Sequence, residues 1–255
     1  MKFLSRLMAA VCVVAFPATA LQAQTLLGGA EFSAKLPLGF SAGAEAEYRT
    51  MDWFDHTEQW SVAANVGYKP LKWLKVGVQY KFIQAQSLAG VTNKGYTYGD
   101  YWDSKHRVSL SATGSLKLGG KFTLSLRERY QYTYRPSHLI PRFDDEGDPA
   151  GNRTIDSKSK HILRSRLQAE FKPYKKCRWT PHLSVELYSL LSDVNHTDKL
   201  TEEGKFCDKW RLTAGTEFRI NKHNELDLFY RYANTTDADE REMHHTIGLV
   251  YSFSL

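Results

Sequence analysis

His182, Ser184 and Glu186 stand at every second position of one segment, so on an extended chain they share a face. A serine hydroxyl beside a histidine, with an acid to orient the ring, is how many hydrolases make a nucleophile. Enzymes that act on membrane lipids need that group turned toward lipid. Here Leu183, Val185 and Leu187 hold the opposite, apolar face, and the polar set points away from it. Three polar residues on a polar face need no catalytic cause, so a polar lining is the better reading. A lipid-modifying hydrolase of the outer membrane is the alternative.

A larger charged set emerges from the same alternation. Glu45, Glu47, Glu170, Glu186, Glu217 and Asp227 fall on polar faces together with Arg49, Arg107, Arg127, Arg129, Arg164, Arg166, Arg211, Arg219 and Arg231. Inside a narrow barrel long side chains fill the interior, and a buried unpaired ion is strongly unfavourable. Opposite charges are therefore expected to pair across a largely filled lumen. The functional variant is a narrow, basic-lined pore that favours anions.

Other candidates carry less. The acidic runs at residues 144–148 and 237–242 offer oxygen ligands for a cation but lack EF-hand spacing, so solvated loops are expected and no metal or cofactor. Asn152, Asn195 and Asn234 match glycosylation sequons by coincidence. Glu128 interrupts an apolar face, and a β-bulge is the expected reason.

The elements that would position these groups are strands. Phe122, Leu124, Leu126, Tyr130, Tyr132 and Tyr134 alternate with Thr123, Ser125, Arg127, Arg129, Gln131 and Thr133. Residues 74–82, 210–220 and 226–232 repeat the pattern. Links alternate in length: tight ones at 69–72, 118–120, 174–178 and 221–223, longer polar ones at 50–59, 84–104, 135–158, 192–206 and 233–242. Short turns at one end and long loops at the other mark a bacterial outer-membrane barrel, and a Greek-key sandwich has no reason to keep that rhythm. Roughly eleven segments can be counted, whereas bacterial single-chain barrels have even numbers of strands. Residues 26–36 are the ambiguous member. Ten strands remain without them, and the even-number rule favours about twelve in an antiparallel up-and-down transmembrane β-barrel.

The two ends of the chain agree. Lys2 and Arg6, an apolar stretch at 7–16 and small residues near Ala23 read as a signal peptide over 1–23, with a barrel over 24–255. The last strand ends on Tyr251, Phe253 and Leu255, the pattern read by barrel-assembly machinery. A mean hydropathy of -0.47 fits a wall whose two faces cancel. The net charge of +6 is dispersed along strands and so argues against nucleic acid. Cys177 and Cys207 fall at opposite ends of one strand and are expected to stay unpaired.

The chain resembles domain of unknown function 2490, a family of Bacteroidota outer-membrane proteins. The resemblance rests on residues 45–49, 76–82, 127–131, 163–167, 181–188 and 245–251 in that order. It implies a barrel in the cell outer membrane, in contact with its lipids, and no particular activity. Together these readings give a structural or narrow-channel protein, not an enzyme.

Overall fold

A computed structural model describes residues 25–52, 54–174, 176–196, 200–202, 204–235 and 243–255. The expected signal peptide and the acidic run at 237–242 lie outside the described residues.

Among the described residues all regular structure is β except for one turn of 3-10 helix. In order it forms β1 (Thr25–Lys35), β2 (Phe40–Met51), β3 (His56–Leu71), β4 (Leu74–Ser87), β5 (Gly90–Val91), β6 (Thr97–Tyr98), β7 (Tyr101–Leu118) and β8 (Phe122–Arg135). There follow β9 (His138–Phe143), β10 (Pro149–Ile155), β11 (Lys158–Phe171), β12 (Trp179–Asn195), β13 (Leu200–Glu202), β14 (Lys205–Arg219), β15 (Asn224–Thr235) and β16 (Met243–Ser254). Period-2 sequence makes each long strand two-faced, and closure lets every edge pair. The wall runs β11-β8-β7-β4-β3-β2-β1-β16-β15-β14-β12, and β12 returns to β11.

That ring has eleven strands, and the expectation of twelve is corrected. An even count follows from closing a ring of strands that all reverse direction. Here β1 and β16 run the same way and pair in parallel, from Thr25↔Thr246 to Ser33↔Ser254, which lifts the parity requirement. The ambiguous first segment is thus the strand that completes the wall. Its other edge pairs with β2 over its full length, from Thr25↔Met51 to Lys35↔Ser41.

Links at one end are short. Pro37–Gly39 turns with positive φ at Leu38 and Gly39, and the link after β7 turns with positive φ at Gly119 and Gly120. At the other end the links after β4 and β8 are long enough to build a separate sheet, β10-β9-β6-β5. There Arg142 lies over the Tyr96 ring at 4.4 Å and Arg153 over Tyr98 at 4.9 Å. One link differs from expectation: β2 and β3 extend so far that only residues 52–55 separate them, not 50–59.

Burial is inside-out. Ser61, Ser109, Gln131, Ser184, Thr213 and Thr246 are buried, while Val66, Val78, Leu110, Leu126, Leu167 and Leu249 are about half exposed on the outer surface. Aromatic pairs flank this aliphatic band. Toward the short links lie Phe40–Tyr68, Phe122–Phe171 and Trp179–Phe218, with centroids 4.5 to 4.7 Å apart. Toward the long links one motif recurs three times. Each of His106, His161 and His245 packs on an aromatic ring (Phe82, Tyr132, Tyr232) and hydrogen-bonds through Nδ1 to the tyrosine two residues earlier (Tyr80, Tyr130, Tyr230).

Glu128 does face outward, but no bulge explains it. The register of β8 is continuous against both β7 and β11 through Glu128, and Ser165 Oγ donates to the carboxylate at 2.6 Å.

Cys177 lies in the short link before β12, and Cys207 lies on β14 beside the long link after it; both are free. At about 3.3 Å per residue, β12 holds the two ends far beyond the roughly 7 Å a disulfide tolerates. Mass spectrometry of oxidised, folded protein should therefore find Cys177 and Cys207 as free thiols. A Cys177–Cys207 crosslink within one chain would contradict the wall as described.

Candidate functional site

The inward positions of the wall carry the charge. Alternation with the buried residues places Glu45, Glu47, Arg49, Arg107, Arg127, Arg129, Arg164, Arg166, Glu186, Arg211, Glu217, Asp227 and Arg231 on the inner face, with Arg219 at its short-link rim. Their signs are layered. On β11 the inward series runs Arg164, Arg166, Gln168, Glu170 toward the short links, and on β14 it runs Arg211, Thr213, Gly215, Glu217. On β15 and β2, read away from the short links, acids come first: Glu225 and Asp227 before Arg231, Glu45 and Glu47 before Arg49.

Register sharpens the layers, because like charges sit directly opposite one another. Arg164 faces Arg129, and Arg166 faces Arg127. Glu217 faces Asp227, and Glu31 faces Glu45. Such pairs destabilise a sheet. Around the ring Arg49 adds its field to Arg107, Arg211 and Arg231, while Glu217 lies near Glu170, Asp227 and Glu225. The expected pairing of opposite charges across the lumen is therefore only part of the arrangement.

It does occur at Glu186. Arg164 donates to both its oxygens at 2.8 Å, Arg127 reaches Oε1 at 3.3 Å and Arg211 reaches Oε2 at 3.4 Å. The Tyr188 hydroxyl donates to Oε2 at 2.9 Å, and the Arg164 guanidinium lies 4.6 Å above the Tyr188 ring. Glu47 holds Arg49 at 2.7 Å and Lys81 at 3.7 Å, and Arg219 holds Glu225 at 2.7 Å. Arg107 donates only to Thr133, and Arg129 has no carboxylate within ion-pair reach among the described residues. The Nε atoms of Arg127, Arg129, Arg164, Arg211 and Arg231 are buried without a partner among the described residues. Positive charge is in excess at this level.

His182, Ser184 and Glu186 share the inner face but do not form a relay. His182 Nε2 bonds Asp227 Oδ1 at 2.8 Å, and Glu186 is held by arginines. Among the described residues Ser184 has no bond to His182 that would activate it. A backbone register puts Ser184 opposite Gln168 and Thr213, not near a base.

Sequence reasoning missed several inward groups. Tyr188 stands two positions after Glu186, so alternation could have found it, but tyrosine was read as an outer-face residue. Lys81, on the polar face of residues 74–82, and Glu31 were not counted among the lumen charges. At the long-link rim Asp103 meets Arg135 and His138 at 3.7 and 3.8 Å, and Asp193 meets Lys158 and Lys160 at 3.0 and 3.7 Å. In the acidic run, Asp144, Glu146 and Asp148 gather in a turn whose backbone donates to Asp144, and solvent reaches the cluster.

Two spaces open among these side chains. One of about 330 Å³ lies between the layers, and one of about 400 Å³ lies below Lys72 and Lys75; Arg166 borders both.

Two solved structures are similar to the chain. The porin NanC is 12% identical, with 91% of this chain and 99% of that chain covered and a TM-score of 0.48. The β domain of the Bordetella autotransporter Brka is 14% identical, with 85% and 83% covered and a TM-score of 0.52. At that identity the likeness to the autotransporter β domain is one of fold alone. No curated protein matches the chain in sequence. The family described as "Protein of unknown function (DUF2490)" matches residues 26–244, most of the barrel wall, and the chain belongs to that family.

Proposed function

We propose that this barrel spans the outer membrane and that its arginine layer forms a narrow, anion-favouring channel. The observation that carries the channel reading is the like-charge register at mid-wall, Arg164 opposite Arg129 and Arg166 opposite Arg127. A lumen shaped only to be filled would alternate signs on every pair of strands, as the Arg166–Glu186–Arg211 row does, since opposite charges in register stabilise and like charges do not. A ring of fixed positive charge instead attracts anions and repels cations. The aliphatic outer band between two sets of aromatic pairs supports the membrane setting.

Planar-bilayer recordings under a potassium chloride gradient test this. A small conductance with a reversal potential of the anion-selective sign is expected. Charge reversal at Arg129 and Arg231 together should move it toward cations. A silent barrel, or one selective for cations, would remove the channel reading.

The assembly machinery is proposed to read Tyr251, Phe253 and Leu255. Phe253 packs against Phe32 with centroids 6.0 Å apart, Tyr251 donates to Asn224, and the Leu255 backbone N–H bonds Ser33 O at 2.9 Å. Changing Tyr251 and Phe253 to Ala should lower the yield of membrane-inserted barrel several-fold, scored as the heat-modifiable band, while what inserts conducts normally. Normal yield with altered conductance would oppose this assignment.

A further inference from the structure

The space of about 330 Å³ between the charge layers is bordered by charges of both signs. Most are satisfied within the wall: Arg164 and Arg211 hold Glu186, His182 holds Asp227, and Arg219 holds Glu225. Four are not. Arg166 and Arg231 border the space with no carboxylate within 4.0 Å among the described residues, and Glu31 and Glu217 border it with no cation at that distance. Glu31 has only a 3.4 Å bond from Ser252, and the Arg231 guanidinium rests 4.6 Å over the Phe229 ring.

The wall itself keeps these groups from meeting. Arg231 is opposite Thr213, and Thr213 is four residues from Glu217 on β14, about 13 Å along a strand at roughly 3.3 Å per residue. Side chains shorten the gap but leave the space between them. Three of the four are also pressed by a like charge in register, Arg166 by Arg127, Glu217 by Asp227 and Glu31 by Glu45. A simple anion entering here gains the arginines and meets the acids, and a simple cation does the reverse. A solute carrying both charges, far enough apart, gains at both ends.

We propose that this cavity is a binding site for a linear dipolar ion. A carboxylate or phosphate end lies toward Arg231 and Arg166, and an ammonium end lies toward Glu217 and Glu31. The volume suits a small molecule, at the lower end of the roughly 300–1,000 Å³ of ligand sites. Arg231, Arg166, Glu217 and Glu31 are then binding residues, and the Glu186 cluster is the scaffold that aligns the arginine side. The proposal rests on a lumen open to solutes, which the channel reading supplies.

The test is isothermal titration of the folded full chain in detergent with unbranched ω-amino carboxylates, from glycine to 8-aminooctanoate. Alkyl carboxylates and alkylammonium ions of matched length serve as controls. Affinity is expected to peak at an intermediate length and to exceed either single-charge analogue at least about tenfold, a difference of about 1.4 kcal/mol. Arg231→Gln and Glu217→Gln should each erase that advantage, with folding checked by heat-shifted mobility. The length series on the unaltered chain decides the matter even if a variant fails to fold. No binding at any length, or equal binding of the matched carboxylate, overturns the proposal. A barrel that passes anions but ignores every dipolar ion overturns it while leaving the channel standing. One that binds them with the expected length optimum yet carries no current supports the site and removes only the channel.

Discussion

Changing Glu186 to Ala should cost the folded barrel about 3–5 kcal/mol, the range for removing one partner from a buried ion pair. Glu186 is 4% exposed, and three arginines and a tyrosine hydroxyl converge on it. Its loss leaves Arg127, Arg164 and Arg211 facing one another in a level already rich in positive charge. Glu186→Gln keeps the shape and one acceptor oxygen but no charge, so it should recover only part of the loss. Urea titrations read by the heat-modifiable band measure both. Formate at high concentration should stabilise the Ala variant by occupying the vacated arginines, following the usual mass-action dependence on ligand. The unaltered protein, with Glu186 in place, should gain little. An Ala variant as stable as its parent would mean that the cluster contributes nothing net.

The lumen chemistry behind this was half legible in the sequence. Alternation put Arg164, Arg166, Glu186 and Arg211 on one face, because a period of two needs no knowledge of neighbours. Which charge stands opposite which depends on stagger between strands, and that is set by hairpin geometry distributed over the whole ring. The Arg166–Glu186–Arg211 row and the Arg164–Arg129 opposition each join neighbouring wall strands, so only the register of each hairpin reveals them. For the same reason His182 found Asp227 on β15, while Ser184, two residues on, has no side-chain hydrogen bond among the described residues.

The strand count failed for a different reason. The segments themselves were readable, eleven of them, but the even-number rule assumes an antiparallel seam. Nothing in Thr25–Lys35 or Met243–Ser254 taken alone states that they will pair in parallel. The three tyrosine–histidine motifs show the opposite case. Tyr80, Tyr130 and Tyr230 each precede another aromatic by two residues on strands running the same way, and each partner histidine lies on the next wall strand. The pattern stands in the sequence, yet its spacing differs at each hairpin because the intervening loops differ in length.

Gly248→Ala is expected to destabilise the wall by about 1–3 kcal/mol, the usual range for overpacking. Phe229 lies in register between two inward glycines, Gly215 on β14 and Gly248 on β16. A Cβ at Gly248 would sit 2.1 Å from Phe229 Cζ, 2.5 Å from Cε2 and 2.7 Å from Cε1. The ring therefore lies against the bare backbone of its neighbour. It cannot swing toward Gly215, because the His182 ring already lies over that glycine, 2.8 Å from where a Cβ would stand, and the Arg231 guanidinium rests on Phe229 at 4.6 Å. The only outlet is the lumen, so an added methyl drives the ring off the wall and into the space between the charge layers. A larger Gly248→Val should cost more, and Phe229→Leu in the Ala background should recover part of the loss, giving a coupling energy measurable by a double-mutant cycle. An Ala variant with the parent's urea midpoint would show that the ring is not held this way. A lumen meant only to be filled would gain from a ring standing inward, whereas two glycines that let Phe229 lie flat keep that space open beside Arg231.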